Sequence, residues 1–432
     1  MRRAALAALA AILIVAVPAA GSEAAGPRTV KVRSLEPRLQ EVTLATAAVP
    51  GGHTRVRVLL PTGYRPGAGR RRYPVLYLLH GALEDESAYT DQDFGLREYT
   101  RDLPLIVVMP DSGTGGGYVN WWNFGKGGPP LWETYHVSQL ITWVDAHYRT
   151  LGTREGRAVA GLSMGGDGAL KYASKHPDLF VAAHSFSGAV DLNVLQQFLE
   201  QGPAYGPYAT QEVRWRGNNA WDLADNLRGV ELALRTGNGQ SGGPYGNGIW
   251  PGADPVEAGV HLASVSLHER LRRLGIAHVW DDYGPSAHSV PYWKRDLRLS
   301  LPLLMRTFRH PPARPRLVSL RAIEPRYSVY GWDVRLRRRA LEFSRLSAAG
   351  RGGFQLTGSG TAIVRTPGFY AARSRHVVIA GGRRQLLRAD RDGRLRIALR
   401  LGRANRFQQF SPEEKANPSR FYGVAVTVKP AG

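Results

Sequence analysis

A serine in a glycine-rich turn is the residue best suited to covalent chemistry in this sequence. Residues 156–173 read GRAVAGLSMGGDGALKYA, and Ser163 has a glycine two residues before it and another two residues after it. The flanking residues predict a buried strand and then a helix, which is the context that a G-x-S-x-G nucleophile requires. The hydroxyl would then project at a helix N-terminus, where N–H groups and the helix dipole stabilise an oxyanion. Ser163 is therefore predicted to be a nucleophile, and the alternative is an ordinary helix N-cap.

A serine hydroxyl needs a general base within hydrogen-bond reach before it can attack at neutral pH. His288 lies in the small-residue loop 284–289, directly after the last predicted strand and before a predicted helix. His261, His268 and His278 fall in helical or strand settings, where packing or surface roles are the simpler interpretation. The sequence therefore predicts His288 as the base.

The carboxylate that orients the base has two candidates on the residues alone. Asp254 and Glu257 both follow the predicted strand 230–235, separated from it by a long loop. In α/β-hydrolases the order along the chain is serine, acid, histidine, which both candidates satisfy. Asp281 and Asp282 lie too close to the histidine to come from a separate loop. Composition does not choose between Asp254 and Glu257.

An oxyanion hole needs two backbone donors close to the nucleophile. The N–H of Met164, the residue after Ser163, is predicted to be one of them. The second is predicted to be the N–H of Ala82, because the segment His80-Gly81 lets the chain turn inward after a buried strand. His80 itself is given no chemical role.

The elements that must position these residues alternate between strands and helices. Near-continuous apolar runs such as 73–79 and 105–109 indicate strands that are buried on both faces of a parallel sheet. Alternation of this kind predicts an α/β fold with right-handed crossovers. The predicted strands of this region are 53–60, 73–79, 105–109, 158–160, 180–186, 230–235 and 278–282, with a helix at about 132–148.

A proline-rich segment at 311–315 predicts a linker, because closely spaced prolines do not continue a helix. Beyond it the pattern changes to short alternating strands separated by glycine turns, which predicts a small β-sandwich over 316–432. About seven strands are expected there. They are 327–334, 341–346, 354–356, 361–365, 376–379, 395–399 and 422–428.

The N-terminus has the features of an export signal. Arg2 and Arg3 precede an apolar run, Ala4–Val17, and small residues follow it. This pattern predicts a signal peptide over 1–25 and a catalytic domain over 26–310. There are no cysteines, so an exported chain of this sequence would be stabilised without disulfides.

The positive charge is concentrated in the C-terminal region. The whole chain has a net charge of +22, and residues 312–432 contain 25 Lys and Arg against 7 Asp and Glu. Such a region could bind an anionic cell-wall polymer or membrane surface, or it could simply be a well-solvated surface. No nucleic-acid recognition motif is present. No His, Asp or Glu cluster has metal-ligand spacing, and no cofactor is predicted.

Several further segments resemble one branch of the α/β-hydrolases. From about Arg55 to Phe308, the chain is similar to the esterase branch that includes S-formylglutathione hydrolases, feruloyl esterases and the antigen 85 mycolyltransferases. This resemblance implies an α/β-hydrolase fold and acyl-enzyme chemistry. The segments that carry it are YPVLYLLHGA at 73–82, the Trp121-Trp122 loop, LWETY at 131–135, AGLSMGGDGAL at 160–170, RTGNGQ at 235–240 and AHSVPYW at 287–293.

The resemblance also bears on the acid and on the substrate. The antigen 85 group uses a glutamate in an F-L-E-G segment after a G-N-G turn, and here VEAG at 256–259 follows GNG at 237–239. This match implies Glu257 rather than Asp254 as the acid. The residues with which that group holds trehalose are replaced, and this chain has His80, Leu83 and Val290 at those positions. Acyl-transfer chemistry is therefore implied, whereas trehalose recognition is not.

The sequence as a whole predicts a secreted or cell-envelope serine esterase acting on a small-molecule, lipid or glycan ester. The same acyl-enzyme could instead pass its acyl group to a sugar or lipid hydroxyl. In that case Trp121 and Trp122 are predicted to bind substrate as an aromatic platform, although packing is the commoner role of such residues. A third hypothesis is a non-catalytic wall-binding protein, which the intact set of serine, histidine and acid disfavours.

Overall fold

A computed structural model describes residues 26–67, 69–196, 202–249 and 251–431. The predicted signal peptide, at residues 1–25, lies outside the described residues. Within the described ranges, no helix has the length and apolar character needed to cross a membrane.

A nine-stranded sheet forms the centre of the N-terminal region, in the order β1-β2-β3-β5-β4-β6-β7-β8-β9. The first three strands run antiparallel to their neighbours, and from β5 to β9 every neighbouring pair is parallel. The strands are β1 (Arg28–Ser34), β2 (Leu39–Ala45), β3 (His53–Leu59), β4 (Val75–Leu79), β5 (Ile106–Pro110), β6 (Arg157–Leu162), β7 (Ala182–Phe186), β8 (Glu231–Thr236) and β9 (Val279–Asp282).

Helices cover both faces of this sheet, which is why its central strands are buried along their whole length. Every residue of β4, β5, β6 and β7 is buried. One apolar core lies on each face of the sheet. The helices of the described chain are α1 (Ala88–Asp91), α2 (Leu96–Tyr99), α3 (Ile141–His147), preceded by π-helical turns over Thr134–Leu140, α4 (Met164–Lys175), α5 (Tyr208–Gly217), α6 (Pro255–Arg273), α7 (Val290–Arg309) and α8 (Pro412–Ala416).

The parallel strands bring three distant parts of the chain to one edge of the sheet. Strand β6 ends immediately before Ser163, β8 ends before the loop that leads to α6, and β9 ends before the loop that leads to α7. The carboxyl ends of parallel strands share one edge, so these loops meet there. The predicted α/β class is confirmed.

The C-terminal region folds into two antiparallel sheets that share one apolar core. The six-stranded sheet has the order β10-β13-β14-β19-β16-β17, and the four-stranded sheet has the order β11-β12-β15-β18. The strands are β10 (Val318–Ala322), β11 (Arg326–Val329), β12 (Trp332–Arg337), β13 (Ser344–Gly350), β14 (Gly353–Gly358), β15 (Gly360–Arg365), β16 (Arg375–Ala380), β17 (Arg383–Arg388), β18 (Arg396–Leu401) and β19 (Tyr422–Pro430).

The structure has ten strands in this region, whereas the sequence predicted about seven. The predicted strand 327–334 is two strands, because Tyr330 and Gly331 have φ values of 47° and 84° and form a hairpin turn. β17 was missed because its side chains are almost all exposed and show no buried alternation. β10 was also missed, although it alternates between buried and less buried positions.

The two regions are packed against each other through polar and apolar contacts. The Asn226 side chain exchanges hydrogen bonds with the backbone of Arg321, and Lys175 forms an ion pair with Glu324 at 2.7 Å. Gly217, the last residue of α5, touches the buried Ile323 so closely that an added Cβ would lie 2.3 Å from its Cδ1. The C-terminal region therefore supports α5. The apolar cluster between the regions consists of Val213, Leu223, Ile323 and Phe343.

Candidate active site

The turn that carries Ser163 holds this half-buried serine in a strained backbone conformation. Ser163 has φ 51° and ψ −119°, a conformation that few non-glycine residues adopt, and its side chain makes no helix-capping hydrogen bond. A Cβ on Gly161 would lie 2.4 Å from the Gly165 oxygen, and one on Gly165 would lie 2.2 Å from the Leu79 oxygen. Both glycines are therefore required for the turn, and the interpretation of Ser163 as an ordinary N-cap gains no support.

The structure brings three distant side chains into one hydrogen-bonded chain. Nε2 of His288 lies 2.8 Å from Oγ of Ser163, and Nδ1 of His288 lies 2.7 Å from Oε2 of Glu257. The imidazole also contacts the edge of Trp293, with ring centroids 4.8 Å apart. This arrangement allows the imidazole to accept the serine proton while the carboxylate fixes its tautomer.

Two hydrogen-bond donors bind Oε1 of the Glu257 carboxylate. The Ser187 hydroxyl donates to Oε1 at 2.8 Å and the Gly237 N–H donates to the same oxygen at 2.9 Å. Glu257 is fully buried on α6. Because Oε1 is occupied in this way, Oε2 is the oxygen that faces His288. Ser187 was not singled out from the sequence, although its position just after β7 could have suggested it.

Asp254, the alternative acid, has a different position. Its Oδ1 accepts hydrogen bonds from the N–H groups of Val256 and Glu257, so it is the N-cap of α6. Its Oδ2 accepts the backbone N–H of His288 at 2.8 Å. Asp254 therefore contacts the histidine loop through the main chain and does not contact the imidazole.

The two predicted oxyanion donors lie beside the serine. Ala82 and Met164 both line the cavity that contains Ser163. In the part of the chain that the structure describes, neither N–H donates to another protein group. Two free N–H groups beside the nucleophile are suited to binding a tetrahedral oxyanion.

Hydrogen bonds from and to His80 stabilise the loop that contains Ala82. Its Nδ1–H donates to the Gly81 oxygen at 2.7 Å and its Nε2 accepts from the Ser112 N–H at 3.0 Å. This pair of bonds requires the neutral imidazole, in agreement with the burial that lowers the pKa of His80. His80 is thus a structural residue of the loop.

A mainly apolar cavity of about 570 Å³ opens beside Ser163. Trp121 and Trp122 do not line it: the Trp121 indole donates to the Gly116 oxygen, and Trp122 packs near Phe124. Their predicted role in binding substrate gains no support from this geometry and stays a prediction. The apolar side chains of the lining include Met164, Ala189, Leu192, Leu195, Val256 and Val260.

A network of ion pairs joins β8 and the two elements that flank the histidine loop, β9 and α7. Arg235 of β8 and Arg295 of α7 both bind Asp281 of β9, and Arg295 also binds Asp296 at 2.8 Å. Asp296 is fully buried, and burial raises its pKa to about 7 against the pull of Arg295. Asp296 therefore holds a proton more tightly in the folded protein than in the unfolded chain, where an aspartate has a pKa of about 3.9.

This difference predicts a pH-dependent effect of Asp296→Asn on stability. The folded state binds the extra proton between about pH 4 and 7, so the contribution of Asp296 to stability is lost as the pH rises through that range. The melting temperature of Asp296→Asn relative to the wild type should therefore be several degrees higher at pH 8 than at pH 5. Thermal denaturation at both pH values measures this difference. An equal difference in melting temperature between the variant and the wild type at the two pH values would contradict the raised pKa of Asp296.

Among the described residues, no group of three or more His, Asp or Glu side chains is arranged to hold a metal ion. The groups that the structure brings together at the site are a hydroxyl, an imidazole, a carboxylate and backbone N–H groups. They suit acyl chemistry at a carbonyl carbon.

The sheet is mainly parallel and has helices on both faces, and the serine follows β6, the carboxylate follows β8 and the histidine follows β9. This arrangement defines an α/β-hydrolase fold. Residues 47–304 match the model of the Esterase family, which is described as "Putative esterase". The chain belongs to this family.

Curated relatives from mycobacteria are similar to the same region. Esterase Rv1288 of Mycobacterium tuberculosis (strain H37Rv) is 35% identical over 283 residues, which cover 62% of this chain. The chain spans 58% of the length of that relative. Diacylglycerol acyltransferase/mycolyltransferase Ag85A of the same strain is 30% identical over 257 residues, covering 55% of this chain and 75% of Ag85A.

Solved structures show a weaker similarity. An S-formylglutathione hydrolase from Agrobacterium tumefaciens is 19% identical with a TM-score of 0.49, covering 64% of this chain and 98% of that structure. The Mycobacterium tuberculosis protein MPT51 is 21% identical with a TM-score of 0.47, covering 66% of this chain and all of that structure.

Proposed function

We propose that the protein is a serine esterase that hydrolyses carboxylic esters through an acyl-enzyme. The observation that carries the proposal is the chain of hydrogen bonds from Ser163 through His288 to Glu257, at 2.8 and 2.7 Å. In this mechanism Ser163 attacks the ester carbonyl while His288 takes its proton. Glu257 stabilises the imidazolium that forms, and His288 then returns the proton to the leaving alkoxide.

The oxyanion of the tetrahedral intermediate would be bound by the N–H groups of Ala82 and Met164. Each donor is worth a factor of about 10²–10³ in rate in sites of this kind. Water activated by His288 then attacks the acyl-enzyme and releases the acid. This scheme needs no cofactor.

The substrate class follows from the cavity, because its apolar lining favours an acyl chain or another apolar group over a charged one. A panel of p-nitrophenyl esters from acetate to decanoate tests the activity. Turnover that depends on chain length supports the proposal. Failure to hydrolyse any member would contradict it and favour a non-catalytic role.

Acyl transfer is a second candidate, supported by the names of relatives such as Ag85A that act as acyltransferases. The same acyl-enzyme would pass its acyl group to a sugar or lipid hydroxyl instead of water. Product analysis with trehalose, glycerol or cell-wall glycan present separates the two reactions. Transfer products in high yield identify an acyltransferase, and free acid alone identifies a hydrolase.

We also propose that the exported protein binds an anionic envelope surface through its C-terminal region. One surface cavity there, of about 690 Å³, contains four exposed arginines. Among the described residues, none of the four guanidinium groups has a carboxylate partner within 4.0 Å, so their charge is available to phosphate or carboxylate groups. The four residues are Arg339, Arg403, Arg406 and Arg420.

Replacing these four arginines by serine should weaken binding to anionic surfaces at least tenfold, because each guanidinium–phosphate contact adds to affinity. Co-sedimentation with isolated cell walls and with phosphatidylglycerol vesicles measures the loss and identifies the surface. Ester turnover should not change. The matched control removes four exposed arginines outside the cavity, namely Arg351, Arg375, Arg384 and Arg396. Equal losses for both variants would show that only net charge matters.

A further inference from the structure

Large exposed apolar side chains lie at the opening of the cavity that contains Ser163. The cavity opens where residues of its lining are exposed, and these are Ala82, Gly115, Gly202, Pro255 and Val256. The apolar side chains at this opening are those of Leu83, Phe124 and Val256, with exposed fractions of 86%, 70% and 46%. We call these three residues the rim.

Leu83 lies between two segments of the opening. It directly follows Ala82, and its N–H donates to the oxygen of Thr114 at 2.8 Å. Thr114 directly precedes Gly115, so this hydrogen bond joins the two segments that contain Ala82 and Gly115. The Leu83 side chain is therefore held at the opening, although most of it is in contact with solvent.

Phe124 lies on a different segment beside the same opening. The N–H of Asn123 donates to the oxygen of Pro203 at 2.9 Å, and Pro203 directly follows Gly202. This hydrogen bond fixes the short turn that contains Phe124 next to the exposed part of the lining. Val256 belongs to the lining itself, so three separate segments contribute to the rim.

Two of the rim residues have a backbone conformation that large apolar residues rarely adopt. Leu83 has φ 65° and Phe124 has φ 56°, in the left-handed region that glycine and asparagine adopt more readily. Neither side chain is buried in return, and the Phe124 ring only neighbours that of Trp122, with centroids 6.2 Å apart. Packing within the described chain therefore does not explain a leucine and a phenylalanine at these positions. Strained residues of this kind are concentrated at functional sites.

Exposed apolar residues that gather at one place mark a surface that binds a protein or a membrane. A protein docked on the rim would close the opening of the cavity. A lipid surface would cover the same side chains and would also supply esters to the opening, from which the mainly apolar lining continues inward. We propose that the rim docks the protein on a lipid surface, so that esters pass from the lipid into the cavity. This inference rests on the proposed esterase function.

Co-sedimentation of the full-length protein with phosphatidylcholine vesicles tests the docking. These vesicles have no net charge, so they do not attract the arginines of the C-terminal region as anionic lipids would. The wild type should bind them. The double variant Leu83→Asn with Phe124→Asn should bind at least about tenfold more weakly, because two apolar side chains no longer leave water on docking.

Asparagine is chosen because it adopts the left-handed conformation more readily than leucine or phenylalanine. The melting temperature of the double variant should therefore equal or exceed that of the wild type, whereas a structural role of the two side chains would lower it. Hydrolysis of emulsified tributyrin should fall about tenfold, since this substrate is reached through docking. Hydrolysis of dissolved p-nitrophenyl acetate should stay within about threefold of the wild-type rate, since neither side chain contacts a reacting group.

Two leucines that are similarly exposed supply the control. Leu262 is two residues beyond Val260 of the lining, which places it on the opposite side of α6 from the cavity. Leu386 lies on β17 in the C-terminal region. Their exposed fractions are 60% and 59%. The double variant Leu262→Asn with Leu386→Asn should bind vesicles and hydrolyse tributyrin as the wild type does.

A wild type that does not bind the vesicles would overturn the inference, and so would equal losses of binding in the two double variants. A rim variant that melts lower than the wild type but hydrolyses tributyrin as well would also overturn it. A wild-type dimer that the rim substitutions dissociate would identify a protein interface instead. Failure to hydrolyse any ester, dissolved or emulsified, would overturn the esterase proposal, and vesicle binding would still decide whether the rim docks on lipid.

Discussion

Ser163→Ala is expected to lower kcat for p-nitrophenyl butanoate by a factor on the order of 10⁴–10⁶. Oγ of Ser163 is the atom within hydrogen-bond reach of Nε2 of His288, and a methyl group in its place cannot form an acyl-enzyme. The variant should remain folded, because the side chain makes no helix-capping bond. Steady-state kinetics and thermal denaturation of the purified variant measure both effects.

A buried serine on the same helix supplies the control for this substitution. Ser174 is fully buried on α4, and its hydroxyl donates to the Lys171 oxygen, remote from His288. Ser174→Ala should change kcat by less than about threefold, since it touches no reacting group. Turnover retained by Ser163→Ala at the wild-type rate would reject Ser163 as the nucleophile.

Glu257→Gln is expected to lower kcat by about 10²–10⁴-fold. The Ser187 hydroxyl and the Gly237 N–H both donate to Oε1, so a glutamine would place its carbonyl oxygen there. Its amide NH₂ would then face Nδ1 of His288 and donate to it. That donation would favour the tautomer with a proton on Nε2, which cannot accept the proton of the Ser163 hydroxyl.

Asp254→Asn provides the comparison, because Asp254 was the other candidate acid. An asparagine keeps an acceptor for the N-cap of α6, so the helix should still form. Its amide nitrogen then faces the His288 N–H in place of Oδ2, so that hydrogen bond is lost, which should cost less than about tenfold in kcat and about 1–3 kcal/mol in stability. Kinetics of the two variants side by side give the ranking. A greater loss of activity in Asp254→Asn than in Glu257→Gln would identify Asp254 as the catalytic acid.

Much of the catalytic region could be predicted from the sequence because strong local rules apply there. Strands β4 and β5 are buried on both faces and read as continuous apolar runs. Close backbone contacts require glycine at positions 161 and 165, so the pattern of glycines around Ser163 identifies the turn in the sequence. The antiparallel region was predicted less well, since β17 is exposed and lacks a buried alternating face.

The contacts within the site depend on how loops fold, which residue types alone do not determine. Asp254 and Glu257 are three residues apart and chemically alike, but only the start of α6 decides which side chain reaches the imidazole. The resemblance to a known family selected Glu257, whereas the residues alone left both open. The burial of Asp167 was not predicted, because burial is a property of the folded chain.

Labelling with a fluorophosphonate probe followed by peptide mass spectrometry tests the activation of Ser163 most directly. The probe reacts with a serine whose proton is accepted by a neighbouring base. We expect one adduct per wild-type protein, on Ser163, with none in Ser163→Ala and at least a hundredfold slower labelling in His288→Gln. A wild-type protein that stays unlabelled, or that carries its adduct on another residue, would contradict the account.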